Sequence, residues 1–199
     1  SMFQEADVSL KTTITPNDVT NYFKMIEHFY GKLDTLKKYG YTTTAEIKSI
    51  DCVAYFSNGD SLNLNYKLAF YPEAVKLGYI GMNRFDGDAI PKKVLSYFKP
   101  KIEKVYSQNY KLIYADFTDL FKSKVDNYKL SQLLGSYSKE NPINFNITDC
   151  KPLIFDKNQV GFLAKTEKEI EIGKTKKMNI IFFMENNFKF KIADIQVNK

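Results

Sequence analysis

Apolar residues recur at helical spacing from Val19 through Tyr22, Phe23, Ile26, Phe29, Tyr30, Leu33 and Leu36. Ahead of them, Thr15-Pro16-Asn17-Asp18 is a helix start, with a threonine cap, proline at the first helical position and an acid in the first turn. Lys37 and Lys38 suit the negative end of the helix dipole and Gly40 can close it, so the pattern predicts a helix over about 16–39. Residues 3–14 carry no clear period and read as an arm or a first strand.

The period then changes from helical to alternating. Ile50, Cys52, Ala54 and Phe56 share one strand face, and Leu62, Leu64, Tyr66, Leu68 and Phe70 share another after Ser57-Asn58-Gly59-Asp60. Asn-Gly supplies the two positive-φ residues of a type I′ turn, which predicts a hairpin. Ser61, Asn63, Asn65 and Lys67 make the opposite face of the return strand wet. A third strand is expected over 76–84, and Asp86-Gly87-Asp88 reads as a loop and a domain boundary.

A second helix is expected from near Pro91, with Val94, Leu95, Phe98, Ile102, Val105 and Tyr106 on its apolar side and a kink or split at Pro100. Tyr110, Tyr114, Phe117, Leu120 and Phe121 suggest one short helix, and Asp126 to Gly135 another. The remainder alternates as β: Ile143, Phe145 and Ile147, then Val160, Phe162 and Ala164 on a strand toward Ile172. A turn is expected at Gly173 to Lys177, a return strand from Met178 through Met184, and a further turn at Glu185-Asn186-Asn187. Ile181 and Phe183 are apolar on the opposite face from Ile180 and Phe182, as in a strand buried on both sides or lining a cavity. A phase slip near Ile192-Ala193 in the last strand predicts a bulge.

Both halves run helix first, then sheet. At an offset of 98, Phe23 matches Phe121, Tyr30 matches Tyr128, and Asp51-Cys52 matches Asp149-Cys150, the pattern of a degenerate tandem repeat. The stretch Asn109-Tyr110-Lys111-Leu112-Ile113-Tyr114-Ala115-Asp116-Phe117 resembles the second-helix motif of the nuclear-transport-factor-2-like superfamily. Asp126-Asn127-Tyr128-Lys129-Leu130 with Leu133-Leu134 is similar to its third helix, and Phe188 to Ile195 to its terminal strand. The resemblance covers roughly half the chain, from about Lys92 to Val197. It implies an α+β cone in which a sheet wraps a long helix and often leaves an apolar pocket. Many members bind proteins or small ligands, and others are isomerases, dehydratases or cyclases with an Asp-His pair; the second half here has no histidine. The expected fold class is therefore α+β, with helices packed on curved antiparallel sheets. The chain divides into a helix-plus-antiparallel-sheet domain over 1–88 and a cone-like roll over 89–199. The first domain is a degenerate second copy or an added unit.

Composition narrows the function classes. The chain has 199 residues, with 44% hydrophobic and 15% aromatic, which is ample for packed cores and argues against disorder. No stretch is long and apolar enough for a transmembrane helix. The formal charge is +6, yet of 29 basic residues only Arg84 is arginine. Lysine lacks the guanidinium fork that reads guanine and phosphate bidentately, so no specific nucleic-acid partner is expected. Cys52 and Cys150 are compatible with one disulfide or with two buried thiols. No CxxC or His-Cys spacing exists, so no metal site is expected. Ser1-Met2 reads as an expression remnant, no signal peptide is visible, and an exported location is slightly favoured over a cytoplasmic one.

Several motifs dissolve on inspection. Gly173-Lys174-Thr175 lacks the first glycine of a phosphate loop, since Lys168 stands there, and reads as a hairpin turn. Asp156 to Gly161 begins like a calcium loop but places Val160 at a ligand position. Asn146-Ile147-Thr148 is a sequon on an expected strand. His28, the only histidine, has no partner pattern around it and reads as structural. Asp116, Asp119 and Asp149 are the acids to inspect, because paired carboxylates shift each other when buried. Tyr97, Tyr110, Tyr114, Phe117, Phe162 and Phe182, with Phe190, are the candidate ligand-binding set. With no catalytic constellation and no cofactor motif, the sequence reads as a non-catalytic binding module for a protein partner or an apolar small ligand. The contacts are these aromatics and any uncovered sheet face, the context an exported bacterial accessory or immunity-type protein, and homodimerisation stays open. The alternative is a cone-fold lyase or isomerase using a buried carboxylate such as Asp116.

Overall fold

The first helix starts where its cap chemistry places it. In the structure, a computed structural model, the Thr15 hydroxyl accepts from Asp18 N–H, and the Asp18 carboxylate accepts from Thr15 N–H at 2.6 Å, a reciprocal capping box. The structure describes residues 11–12, 14–44, 47–71, 74–83, 89–107, 110–135, 144–155, 159–171, 174–185 and 188–198. The expected boundary at 86–88 and residues 3–10 of the expected arm lie outside these, while Lys11 and Thr12 are helical.

Helix α1 (Pro16–Tyr30) is shorter than expected. It ends at Gly31, whose φ of +86° takes the chain out of helical geometry at a conformation that glycine adopts without strain. Lys32 is then latched to the tip of the first hairpin: its N–H donates to the Ser57 hydroxyl at 3.1 Å and its carbonyl accepts from Ser57 N–H at 2.9 Å. The residues expected to continue the helix instead form strand β1 (Leu33–Thr43). Leu33 and Leu36 satisfy helical spacing, but a register shift at Asp34 also puts both on one strand face.

Strands β2 (Ile47–Phe56), β3 (Ser61–Tyr71) and β4 (Ala74–Asn83) complete an antiparallel sheet in the order β1-β2-β3-β4. The expected alternation on β2 and β3 holds: Cys52 stands opposite Leu64 and Ala54 opposite Leu62. The turn between them differs from a type I′. Only Gly59 has positive φ (+88°), and Phe56 N–H donates to the Asp60 carbonyl at 2.9 Å. That is a three-residue loop with glycine in the left-handed position, which joins the strands with one positive-φ residue instead of two.

The buried side of α1 carries Tyr22, Met25, Ile26, Phe29 and Tyr30, all at most 2% exposed. Each contributes roughly 1.5–3 kcal/mol by leaving water. Tyr30 meets Phe56 with ring centroids 5.6 Å apart. The Tyr22 hydroxyl accepts a hydrogen bond from Met82 N–H on edge strand β4 at 3.1 Å.

The later part of the chain holds helices α2 (Lys92–Tyr106), α3 (Tyr110–Ala115), α4 (Asp119–Lys124) and α5 (Asn127–Leu134). A second antiparallel sheet follows, β5 (Asn146–Ile154), β6 (Val160–Glu171), β7 (Lys174–Met184) and β8 (Phe190–Asn198), in sequential order. The fold class is α+β, as expected. Helix α2 runs through Pro100 without being split. The single helix expected over 110–121 is two. Thr118 caps a new start, and residues 116–118 pair with β8 through Ile192 N–H to the Asp116 carbonyl at 2.8 Å and Thr118 N–H to the Ile192 carbonyl at 2.9 Å. The turn expected over 173–177 is tighter, because Lys174 already pairs with Glu171 and Thr175 with Glu169; Gly173 itself lies outside the described residues. The bulge expected near Ile192-Ala193 is present: Asp194 pairs with Ile181 and Ile192 with Phe182, leaving Ala193 as the extra residue.

The chain forms two compact units, Ser1–Pro91 with Lys151–Val160, and Lys92–Cys150 with Gly161–Lys199. In the second, Phe98 of α2 meets Phe162, Phe182 and Phe190 at centroid distances of 4.8, 4.8 and 5.3 Å. Tyr106 and Thr166 share a buried hydroxyl hydrogen bond of 2.7 Å. Cys52 and Cys150 are both buried, and they do not form a disulfide with each other.

Replacing Tyr22 with Phe keeps the packing and strands the Met82 N–H. The expected loss is about 1–2 kcal/mol of unfolding free energy in denaturant titration, with the slope unchanged.

Candidate functional site

The first sheet has two different faces. One is polar: Asn65 donates to Ser49 at 2.9 Å and to the Asp51 carboxylate at 2.6 Å. The other is apolar along β3 and β4 but covered only in part. Along β3, Leu62 is fully buried and Leu64 is 6% exposed, Tyr66 and Leu68 are half-buried, and Phe70 is 39% exposed. The neighbours on that face open toward Val75 at the Phe70 end and toward the edge strand β1 at Leu36, which stands beside Ala54. Ala54 and Met82 are buried, whereas Leu36 and Val75 are 49% and 50% exposed.

Where cover stops, a groove of about 580 Å³ opens, lined by Phe23 of α1, Leu33 and Leu36 of β1, Leu64, Tyr66 and Leu68 of β3, and Val75, Leu77, Ile80 and Met82 of β4. That size is within the range of small-molecule sites. Its walls are almost wholly hydrocarbon. The Tyr66 hydroxyl is the polar exception; desolvation, then its interaction with Cys52, raise its pKa above the ordinary phenol value. At the margin of the same face, the Lys38 and Lys48 ammonium groups stand 4.5 and 5.3 Å from the centre of the Tyr41 ring.

The candidate aromatics of the second unit have other surroundings. Phe117, Phe162 and Phe182 are fully buried, and Phe190 is 1% exposed. Tyr97 is half-buried, and its hydroxyl accepts from Phe190 N–H at 3.1 Å. Tyr110 is half-buried, as is Tyr114, whose hydroxyl donates to the Lys122 carbonyl at 3.3 Å. Tyr114 also lines a polar recess of about 530 Å³ with Lys111, Asp126 and Asn127. His28 is half-buried and edge-on to Phe29 at 4.9 Å.

The acids are dispersed. Asp119 is exposed and pairs with Lys122 at 3.2 Å, and Asp149 lies 4.0 Å from Lys165. Asp116 is the most constrained: Lys104 reaches one oxygen at 2.7 Å and Lys101 the other at 3.3 Å. Desolvation alone pushes its pKa up, but the two lysine hydrogen bonds and charges outweigh it and hold the carboxyl below the usual range. Among the described residues no three His, Cys, Asp or Glu side chains gather as metal ligands. Among them also, no helix is long and apolar enough to cross a membrane.

The groove was not named in the sequence because it depends on where α1 ends. The available signals were Gly31 as a stop and the apolar run on β3, which outlasts any cover the preceding helix can give.

No protein-family model matches the chain, and no curated protein matches it. A solved structure described as an "Ntf2 like protein involved in plasmid conjugation" is similar at 10% identity, over 98% of this chain and 94% of that one, with a TM-score of 0.33.

The depressed Asp116 pKa stabilises the fold above the pKa of the unfolded chain and ceases to do so as pH falls through the folded value. Asp116→Asn should therefore cost roughly 0.5–1 kcal/mol at neutral pH, a modest figure because the group is partly solvated, and close to nothing near pH 3. Denaturant titrations of both proteins at the two pH values check this.

Proposed function

We propose that this chain is a non-catalytic binding module whose recognition surface is the open half of the first sheet's apolar face. The observation that carries the reading is the burial gradient on one continuous face. Leu62 and Ala54 are sealed while Leu36, Val75 and Phe70 remain 39–50% exposed around a groove of about 580 Å³. Contiguous exposed hydrocarbon on a folded protein costs solubility and marks sites of association. Scattered exposed leucines, such as Leu112 and Leu120 on short helices, do not form such a surface.

The second reading, a lyase or isomerase with Asp116 as base, is disfavoured by the surroundings of that carboxylate. Both oxygens are engaged by ammonium groups, and a base with a depressed pKa accepts protons poorly at neutral pH.

Titration with the neutral solvatochromic dye Nile red tests the reading. One saturable site is expected. Leu68→Glu and Val75→Glu should each weaken it by about tenfold or more, the scale set by placing a charge against buried hydrocarbon. Leu120→Glu, outside the groove, should leave it unchanged. Equal dye binding by all four proteins would contradict the assignment.

A further inference from the structure

We infer that the groove takes a free single-chain anionic amphiphile, of the class of long-chain carboxylates, with its tail on the Leu36–Leu68–Val75 surface and its head at Lys38 and Lys48. The inference rests on the binding reading above and names its ligand class.

Three observations lead there. The first is where the charge stands. Register places Lys38 opposite Cys52, Lys48 opposite Leu68, and Tyr41 opposite Ile50, so all three rise from the groove's face of the sheet. Two ammonium groups share the Tyr41 ring, at 4.5 and 5.3 Å from its centre. Two ammonium groups beside one ring on the groove's face offer an anion two cationic partners. Among the described residues no carboxylate stands within ion-pair distance of either lysine.

The second is what the groove lacks. A peptide laid into it in extended form would bring backbone N–H and C=O groups that need partners, and the walls offer only the Tyr66 hydroxyl. A hydrocarbon tail makes no such demand. The third concerns the two sheet edges. Strand β1 carries register shifts at 34 and at 39 and strand β4 one at Gly78, which interrupt the regular ladder that an added strand from a partner would require. An apolar trough with two cations rising from the same face therefore matches one tail and one head.

The test is competition against Nile red by three ten-carbon probes, decanoate, decanol and decyltrimethylammonium, each below its aggregation concentration. Decanoate is expected to displace the dye best. Lys38→Glu with Lys48→Glu should weaken decanoate by about tenfold, the scale of reversing two solvent-accessible charges, and leave decanol unchanged. Lys38→Gln with Lys48→Gln should fall between. If decanoate and decanol compete equally and neither responds to the lysines, the charge inference fails while the groove reading stands. If no probe competes and the dye ignores Leu68→Glu, both fail. Flotation with phosphatidylglycerol vesicles without displacement by decanoate would assign the lysines to a membrane surface and overturn the proposal as well.

Discussion

A helix of fifteen residues is about 22 Å long and about 10–12 Å wide, whereas an eleven-residue strand reaches about 35 Å. Whatever its orientation, α1 cannot cover the apolar side of β3 along its length. Everything distinctive about the first unit follows from that mismatch. The hydrocarbon nearest the helix becomes core, with Tyr22 tying the helix to Met82 on β4. The hydrocarbon beyond it stays in contact with water and forms a groove.

The second unit shows the contrast. Its helix α2, also of fifteen residues, presents Val94, Phe98, Ile102 and Val105, each fully buried, and the strands answer with Phe162, Ile180 and Phe182, equally buried. Rings at 4.8 Å leave no room for a ligand between Phe98 and its partners. The same chemical material, aromatic and aliphatic side chains alternating on strands, yields a filled interior in one unit and an open face in the other. The difference is the extent of cover: the second unit adds three short helices, with Ile113, Phe121, Leu130 and Leu134 buried, to a helix no longer than α1.

Much of the architecture was legible locally. Thr15 to Asp18 announced its helix start, Asn58-Gly59 its hairpin, and the phase slip at Ile192-Ala193 its bulge, because each is settled by a few adjacent residues. The failures share one cause. Leu33 and Leu36 fit a helix and a bulged strand equally, and the choice was made by Gly31 and by the Lys32–Ser57 latch 25 residues away. Residues 116–118 could continue a helix, but their backbone groups pair with Ile192. The groove was hidden for the same reason: it is defined by what does not cover it. The aromatic set singled out from the sequence is rich in potential contact area, yet its phenylalanines are enclosed by one another.

The most direct measurement of the central claim is the rate at which single cysteines along this face react with a water-soluble thiol reagent. Leu36 and Leu62 both stand opposite Ala54, one on each side, so substitution at each probes neighbouring points of one surface. Against the slow background of the buried Cys52 and Cys150, Leu36→Cys and Val75→Cys should react at rates close to those of an exposed thiol. Leu62→Cys should be protected to the level of global or subglobal unfolding. Equal protection at all three positions would mean that the face is covered throughout, and the account of an open apolar surface would be wrong.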